Sequence, residues 1–383
     1  MRKTNLILLI PVLAFSLLFC SLLTTPVCSA QVSPDGWAKM DSGTEVSLRG
    51  IWCSSPTDVF AAGANGTILH YDGSGWSPVD SGTNNHLWSV WGSSSSDVFV
   101  VGDYGMVLHY DGSEWSEMDS GTGIDLKWVW GSSSSDVFVV GSEGIILHWD
   151  GSEWSEMDSG IPDYLILICV WGTDSDDVFA VGGDGVILHY DGIEWSPMGS
   201  DNTTVLYGVW GSSSTDVYAV GDRLVVMHYD GSEWRQMGEP PLGTWIQIFH
   251  IWGSSASDIF AVGYDGGLWH YDGSVVSEMN SGTSEFLQGI WGTSPTDVFA
   301  VGHKGTILHY YEQPPTPTVT PTAGPSPIAT DTQTPTVTPA SSTGAPPAWL
   351  WPVVGCAGAV MLLLVAVAVL NERGKSSTGE REG

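Results

Sequence analysis

Basic residues are scarce in this chain: 11 Lys and Arg stand against 43 Asp and Glu, for a formal net charge of −32. Nucleic-acid binding needs a basic stripe to neutralise phosphates, so a surface this acidic argues against a nucleic-acid partner. Cysteine is scarce as well, at 5 residues in 383. Two of these, Cys20 and Cys28, lie in the first 30 residues, and Cys356 lies in an apolar run near the C-terminus, leaving Cys53 and Cys169 between. That is too few for a disulfide framework. Over the long middle of the chain no window sustains a 3.6-residue apolar period with helix caps, which excludes helix bundles and alternating βαβ folds.

What is present is repetition. A tryptophan opening the pattern W-G-S-S-S-S-D-V-F-V-V-G, followed by I/V-L-H-Y-D-G and a second tryptophan, recurs at Trp52, Trp91, Trp130, Trp171, Trp210, Trp252 and Trp291, at intervals of 39, 39, 41, 39, 42 and 39 residues. In the copy around Trp91 four strand-like runs are expected, Leu87 to Trp91, Asp97 to Val101, Met106 to Tyr110 and Glu114 to Met118. Ser, Gly and Asp clusters separate them, as turns require. A period near 40 with four short β runs predicts a β-propeller blade. The seventh copy lacks its fourth run, because the chain passes from Leu308-His309-Tyr310-Tyr311 into a Pro/Thr tract. The missing piece stands at the other end, where Gly36-Trp37-Ala38-Lys39-Met40-Asp41 reads as an orphan fourth strand. The expected fold is therefore all-β: a seven-bladed β-propeller over residues 31–312, closed by an N-terminal fourth strand that removes the open sheet edges. Cys53 and Cys169 fall in non-adjacent blades, so no disulfide is expected between them.

The flanks read differently. Residues 1–30 carry Arg2 and Lys3, an apolar stretch from Leu6 to Leu23 and the small-residue end Cys28-Ser29-Ala30, the pattern of a secretory signal cleaved after Ala30. Residues 313–347 contain ten prolines among Thr and Ser, an extended and disordered stalk. Trp349 to Leu370 is free of charge and long enough for one transmembrane helix, within a segment at 348–370; the tail at 371–383, with Arg373 and Lys375, is expected in the cytoplasm. Together these predict a single-pass cell-membrane protein with its propeller outside.

The unit I/V-W-G-S-S-x-x-D-V-F-A-V-G-x-x-G-x-I-L-H-Y-D-G-x-x-W resembles repeats of secreted and surface-anchored bacterial and archaeal propeller proteins, over about residues 36 to 311. More distantly it is similar to kelch and sialidase-type propellers. It departs from the latter because the order S-x-D-x-G-x-T-W is not reproduced.

Residues present in every copy are best assigned to what every blade needs. This holds for the seven histidines His70, His109, His148, His189, His228, His270 and His309 and for Asp58, Asp97, Asp136, Asp177, Asp216, Asp258 and Asp297. One His per blade does not supply the three or four converging ligands of a zinc site, so no metal and no cofactor is expected. The Asp is expected to accept from backbone N–H groups of the Ser-rich loop, and the His to bond within its blade. Function is sought where copies disagree. Three residues before each register Trp stand Arg49, Trp88, Lys127, Ile168, Tyr207, Phe249 and Gln288; two before stand Gly50, Ser89, Trp128, Cys169, Gly208, His250 and Gly289. The turn between second and third runs, with Arg223 and Lys304, and the linkers, with Trp245, share that end of the ring. The candidate ligand-binding set is Arg49, Trp88, Lys127, Trp128, Tyr207, Arg223, Trp245, Phe249, His250, Gln288 and Lys304, with no catalytic residue. Trp88 and Trp128 occupy alternate strand positions, so one of them is expected to pack between blades.

Cations and aromatics around a concave mouth suit an extracellular ligand of anionic or sugar character, or a protein. The expected activity is a non-catalytic binding or adhesion module. A propeller glycoside hydrolase, which would need a carboxylate pair that no spacing selects, and a structural envelope platform are the alternatives.

Overall fold

The computed structural model describes residues 32–238 and 245–311. The proposed leader, stalk, membrane segment and tail, and the linker at 239–244, lie outside the described residues. Among those described, no helix is long and apolar enough to cross a membrane.

Seven four-stranded antiparallel sheets make up the fold. In the blade of Trp91 the strands are Leu87–Ser94, Asp97–Gly102, Val107–Tyr110 and Trp115–Met118. The first strand runs three residues beyond the expected end at Trp91. The reason is a tighter turn: Ser94 pairs with Asp97, so only two serines form the connection, and the Ser-rich run is strand rather than loop. The seventh blade takes its outermost strand from the N-terminus, with Trp37–Met40 paired antiparallel to Ile307–Tyr311 in the register Trp37↔Tyr310 to Met40↔Ile307. Seven blades closed by the N-terminal strand is the architecture expected.

Every blade is apolar on both faces, and its neighbours bury them. The second-strand Phe of one blade meets the third-strand Tyr and fourth-strand Trp of the next: Phe60 with Tyr110 and Trp115, Phe138 with Tyr190 and Trp195, Phe179 with Tyr229 and Trp234. Phe260 meets Trp37 and Tyr310 in the same way, so the N-terminal strand supplies the aromatic that the sixth blade needs. Nearer the axis, the register Trp lies on the glycine that follows the next blade's Trp. A Cβ on Gly131 would stand 2.8 Å from the Trp91 ring and 2.7 Å from the Asp136 carbonyl. The first blade has Cys53 at this position, and it is buried in the cluster that includes Trp291. Cys53 and Cys169 are both buried free thiols. Burial pushes both thiols up, Cys169 to about 12, and leaves them unreactive.

The repeated polar residues form one relay per blade. His70 Nε2 lies 2.7 Å from Asp58 Oδ1, Ser54 donates its hydroxyl to the other carboxylate oxygen, and the imidazole stacks on Phe60 at 4.3 Å. The same Ser/Thr–Asp–His arrangement recurs through Thr293, Asp297 and His309. The expectation that the Asp serves backbone N–H groups is corrected here. Its two oxygens go to a hydroxyl and an imidazole, while the turn amide is taken instead by the strand-end serine, as Thr57 N–H donates to Ser55 Oγ.

Gly131→Ala is expected to destabilise the protein by about 1–3 kcal/mol through overpacking against Trp91. Gly75→Ala, which meets nothing within 4 Å, should stay within about 0.5 kcal/mol. Chemical denaturation of the two variants compares them directly. Trp37 is 1% exposed, and Trp37→Ala should cost about 3–5 kcal/mol, lowering the melting temperature as the ring loses its closing seam.

Candidate functional site

The site is built by a bulge repeated seven times. In each innermost strand the pairing skips one residue: Leu48 pairs with Gly63 and Gly50 with Ala62, leaving Arg49 unmatched. The equivalent skip passes Trp88 between Leu87 and Ser89, and Lys127 between Leu126 and Trp128. An unpaired bulge residue is re-aimed out of the alternation of the strand. Arg49, Trp88, Lys127, Ile168, Tyr207, Phe249 and Gln288, one from each blade, thereby line a single cavity of about 280 Å³, joined by Trp128 and Ile166.

The bulge also corrects the expectation about the two tryptophans. Trp88 and Trp128 both reach the cavity, Trp88 as the skipped residue and Trp128 from a paired position whose ring turns to the axis. The position of Trp128 normally points at the neighbouring blade. Gly50 there faces Ser89, Ser89 Oγ accepts from the Val129 N–H of the next blade, and His250 Nδ1 accepts from the Ile290 N–H. An indole does not fit that space. Trp128, on the third blade, instead brings its ring to 4.4 Å from that of His250 on the sixth, spanning the channel. His250 itself is 5% exposed and does not line the cavity. It belongs to the scaffold beneath, and burial pushes its pKa down to about 3.

One side of the cavity is a cation–aromatic stack. The Arg49 guanidinium lies 3.7 Å from the Trp88 ring centre and the Lys127 ammonium 4.1 Å from it. Trp88 donates its indole N–H to Asp103, and Lys127 reaches Asp103 at 3.5 Å and Asp125 at 3.2 Å. Asp125 also accepts the Tyr104 N–H, which pulls its carboxyl below the usual range against its partial burial. Arg49 has no ion pair among the described residues; burial lowers its pKa, and the field of Asp103 only partly opposes this. Arg49 Nη1 and Gln288 Oε1 are buried and make no hydrogen bond. The other side is apolar: Ile166, Ile168, Phe249 and Tyr207. The Tyr207 phenol accepts from Gln247, which also donates to Asp222, and is pushed up to about 12 by burial and then by Asp222.

Three candidates lie apart from the cavity, at the rim. Trp245 is 80% exposed and Arg223 approaches it at 5.9 Å, while Lys304 is exposed and paired with Glu285 at 2.8 Å. Tyr104, Tyr164 and Tyr264 are exposed on the same end of the ring. Each turn there holds two consecutive positive-φ residues, such as Asn65-Gly66 and Lys304-Gly305. Only the fifth blade uses two non-glycines, Arg223 at φ 59 and Leu224 at φ 61, a strained pair held by the bond from Leu224 N–H to the Ile246 carbonyl.

A second variable column escaped the sequence reading: Ser47, His86, Asp125, Ile166, Val205, Gln247 and Phe286, five residues before each register Trp. Asp125, Ile166 and Gln247 support or line the cavity, and Phe286 links Phe249 at 6.4 Å to Tyr264 at 4.3 Å. The signal was present, as the same variability two residues upstream of the bulge.

The depressed pKa of His250 has a sign. The unfolded chain binds a proton near 6.5 and the folded one near 3, so protons favour unfolding between those values. The stability is complete above about pH 7 and falls as pH drops. At pH 5 this group removes about 2 kcal/mol. His250→Asn keeps an acceptor for the Ile290 N–H, and its stability should fall less between pH 7 and pH 5 than that of the natural protein in parallel urea titrations.

No family model matches the chain, and no curated protein matches it. Solved structures do. YCF48 bound to D1 peptide is 17% identical with a TM-score of 0.61, covering 74% of this chain and 99% of that one. YCF48 from Cyanidioschyzon merolae is 15% identical, with a TM-score of 0.59 over 72% and 98% of the two chains. The RRP9 WD40 repeats are 9% identical, with a TM-score of 0.60 over 73% and 99%. At these identities what is shared is the fold, and the chain is a seven-bladed propeller with WD40-type neighbours.

Proposed function

We infer that this protein is a non-catalytic recognition module that binds an extracellular ligand, a protein or a carbohydrate, at the axial cavity. The observation that carries the reading is the cavity's construction: each blade contributes its one bulged, non-repeated residue, and together they form a mostly apolar hollow with a cationic edge. The lining contains no carboxylate or thiol, and its single phenol is engaged by Gln247. That supports binding over glycoside hydrolysis, which needs two acidic groups flanking the bond. One neighbour of the same fold is described as bound to a peptide, which favours a polypeptide ligand over a glycan. The N-terminal leader, the Pro/Thr tract and the apolar run Trp349 to Leu370 support display at a cell membrane on a stalk.

Screening the full-length chain against glycan and peptide arrays tests this. Phe249→Ala and Arg49→Ala are each expected to weaken the bound ligand at least tenfold, and Trp245→Ala to have a smaller effect from the rim. Binding indifferent to both cavity substitutions would remove the axial cavity from the function.

A further inference from the structure

The cavity carries two unmet polar demands beside an apolar wall, and their chemistry narrows the ligand. Arg49 Nη1 is a buried donor without an acceptor, and Gln288 Oε1 is a buried acceptor without a donor. They sit on adjoining innermost strands, since a Cβ on Gly289 would meet the Arg49 carbonyl at 2.6 Å. Buried polar atoms left unsatisfied are costly, and both side chains line the cavity, so a ligand there that draws the two atoms into contact relieves both. The ligand therefore needs an acceptor and a donor close together.

The acceptor is an anion. Lys127 is neutralised by Asp103 and Asp125, whereas the half-buried Arg49 has no carboxylate of its own among the described residues. A guanidinium pairs bidentately with a carboxylate and gains most where water is excluded. The remote acidic surface does not cancel this, because at physiological salt charges beyond about 8 Å are largely screened. The rest of the ligand is apolar and small. Ile168, Phe249 and Tyr207 form the facing wall, and a hollow of about 280 Å³ admits a body the size of one large residue. The stacking face of Trp88 is already covered by Arg49 and Lys127, so that ring offers no open platform to a sugar.

We propose, resting on the binding role assigned to this cavity, that it takes an acylated amino acid with a bulky apolar side chain: the α-carboxylate on Arg49, the adjacent amide N–H on Gln288 and the side chain against Phe249 and Tyr207. This chemistry occurs at the free C-terminus of a polypeptide and in free N-acyl amino acids. Only one residue fits within, so a chain enters by its end, and its upstream residues pass out toward the exposed Tyr104 and Tyr264 on the same face.

The test titrates the full-length chain, by calorimetry, with a hexapeptide ending in phenylalanine as the free acid, the same peptide amidated, an isomer with phenylalanine internal, and N-acetylphenylalanine. The free acid should bind at least 50-fold more tightly than the amide or the isomer. Arg49→Gln should abolish that preference, and Gln288→Leu should weaken the free acid about tenfold. Tighter binding of the peptide than of N-acetylphenylalanine identifies a polypeptide terminus as the source; equal binding identifies the small molecule. Equal affinity for acid and amide in the natural protein overturns the proposal without recourse to any variant. If the array ligands still lose affinity in Phe249→Ala while no free acid binds, the cavity remains the binding site and only the assignment of its ligand class falls.

Discussion

Burial of each blade against its neighbours is the interaction on which everything else depends. A four-stranded sheet that is apolar on both faces has no stable existence alone, and a linear row of such sheets would leave two apolar faces and two edges in water. The ring removes all of these, provided the last seam is as good as the others. Trp37 makes that seam ordinary. It gives Phe260 the edge contact that Trp115 gives Phe60, so a strand from the far end of the sequence completes a contact otherwise made between consecutive repeats. The cost is a long-range closure in folding. The gain is a propeller whose first and last strands are held in one sheet.

The repeats made the scaffold legible in the sequence because recurrence separates necessity from choice. Blade number, closure and the assignment of the His and Asp registers to the scaffold were legible in the repeats, while the partners of the Asp, a hydroxyl and an imidazole in place of backbone N–H groups, were not. Ring positions three before each Trp were legible for the same reason. What could not be read was the bulge. A strand drawn with strict alternation sends Trp88 and Trp128 to opposite faces; Trp88 is the unmatched residue aimed at the axis, and Trp128 turns its ring to the axis from a position that elsewhere packs against the next blade. The fate of His250 was also hidden, since a histidine among channel residues reads as a ligand contact until its Nδ1 is seen accepting a backbone N–H. The column from Ser47 to Phe286 lay outside the expected strand, where variability looked like that of any linker.

Charge in this protein is organised by distance rather than by total. Most carboxylates serve locally: Asp111 accepts from Ser113 and Glu114 to hold its turn, and the Asp of each relay is occupied by a hydroxyl and an imidazole. Near the axis Arg49 and Lys127 stand against Asp103 and Asp125, a balanced group in which only the guanidinium lacks a direct partner. The overall excess of negative charge thus keeps the surface soluble and repels polyanions at long range, while the cavity presents an unmatched cation at contact distance.

The bulge explains how such a site can exist without weakening its scaffold. A residue skipped by the ladder carries no cross-strand pairing, and in this ring it meets its neighbours at the axis, as Arg49 and Lys127 meet Trp88, rather than inside the seams between blades. Its identity is therefore free of the constraints that fix Trp, Gly, Phe and His, and seven positions can differ without cost to any seam. Rigidity follows from the same arrangement. Each of the seven bulged residues stands on an innermost strand that is itself paired along its length and packed between two blades, so the cavity is preformed and binding does not have to order it. Where the chain departs from this economy it does so on the same face: the left-handed Arg223 and Leu224 are strained in a turn that every other blade closes with glycine.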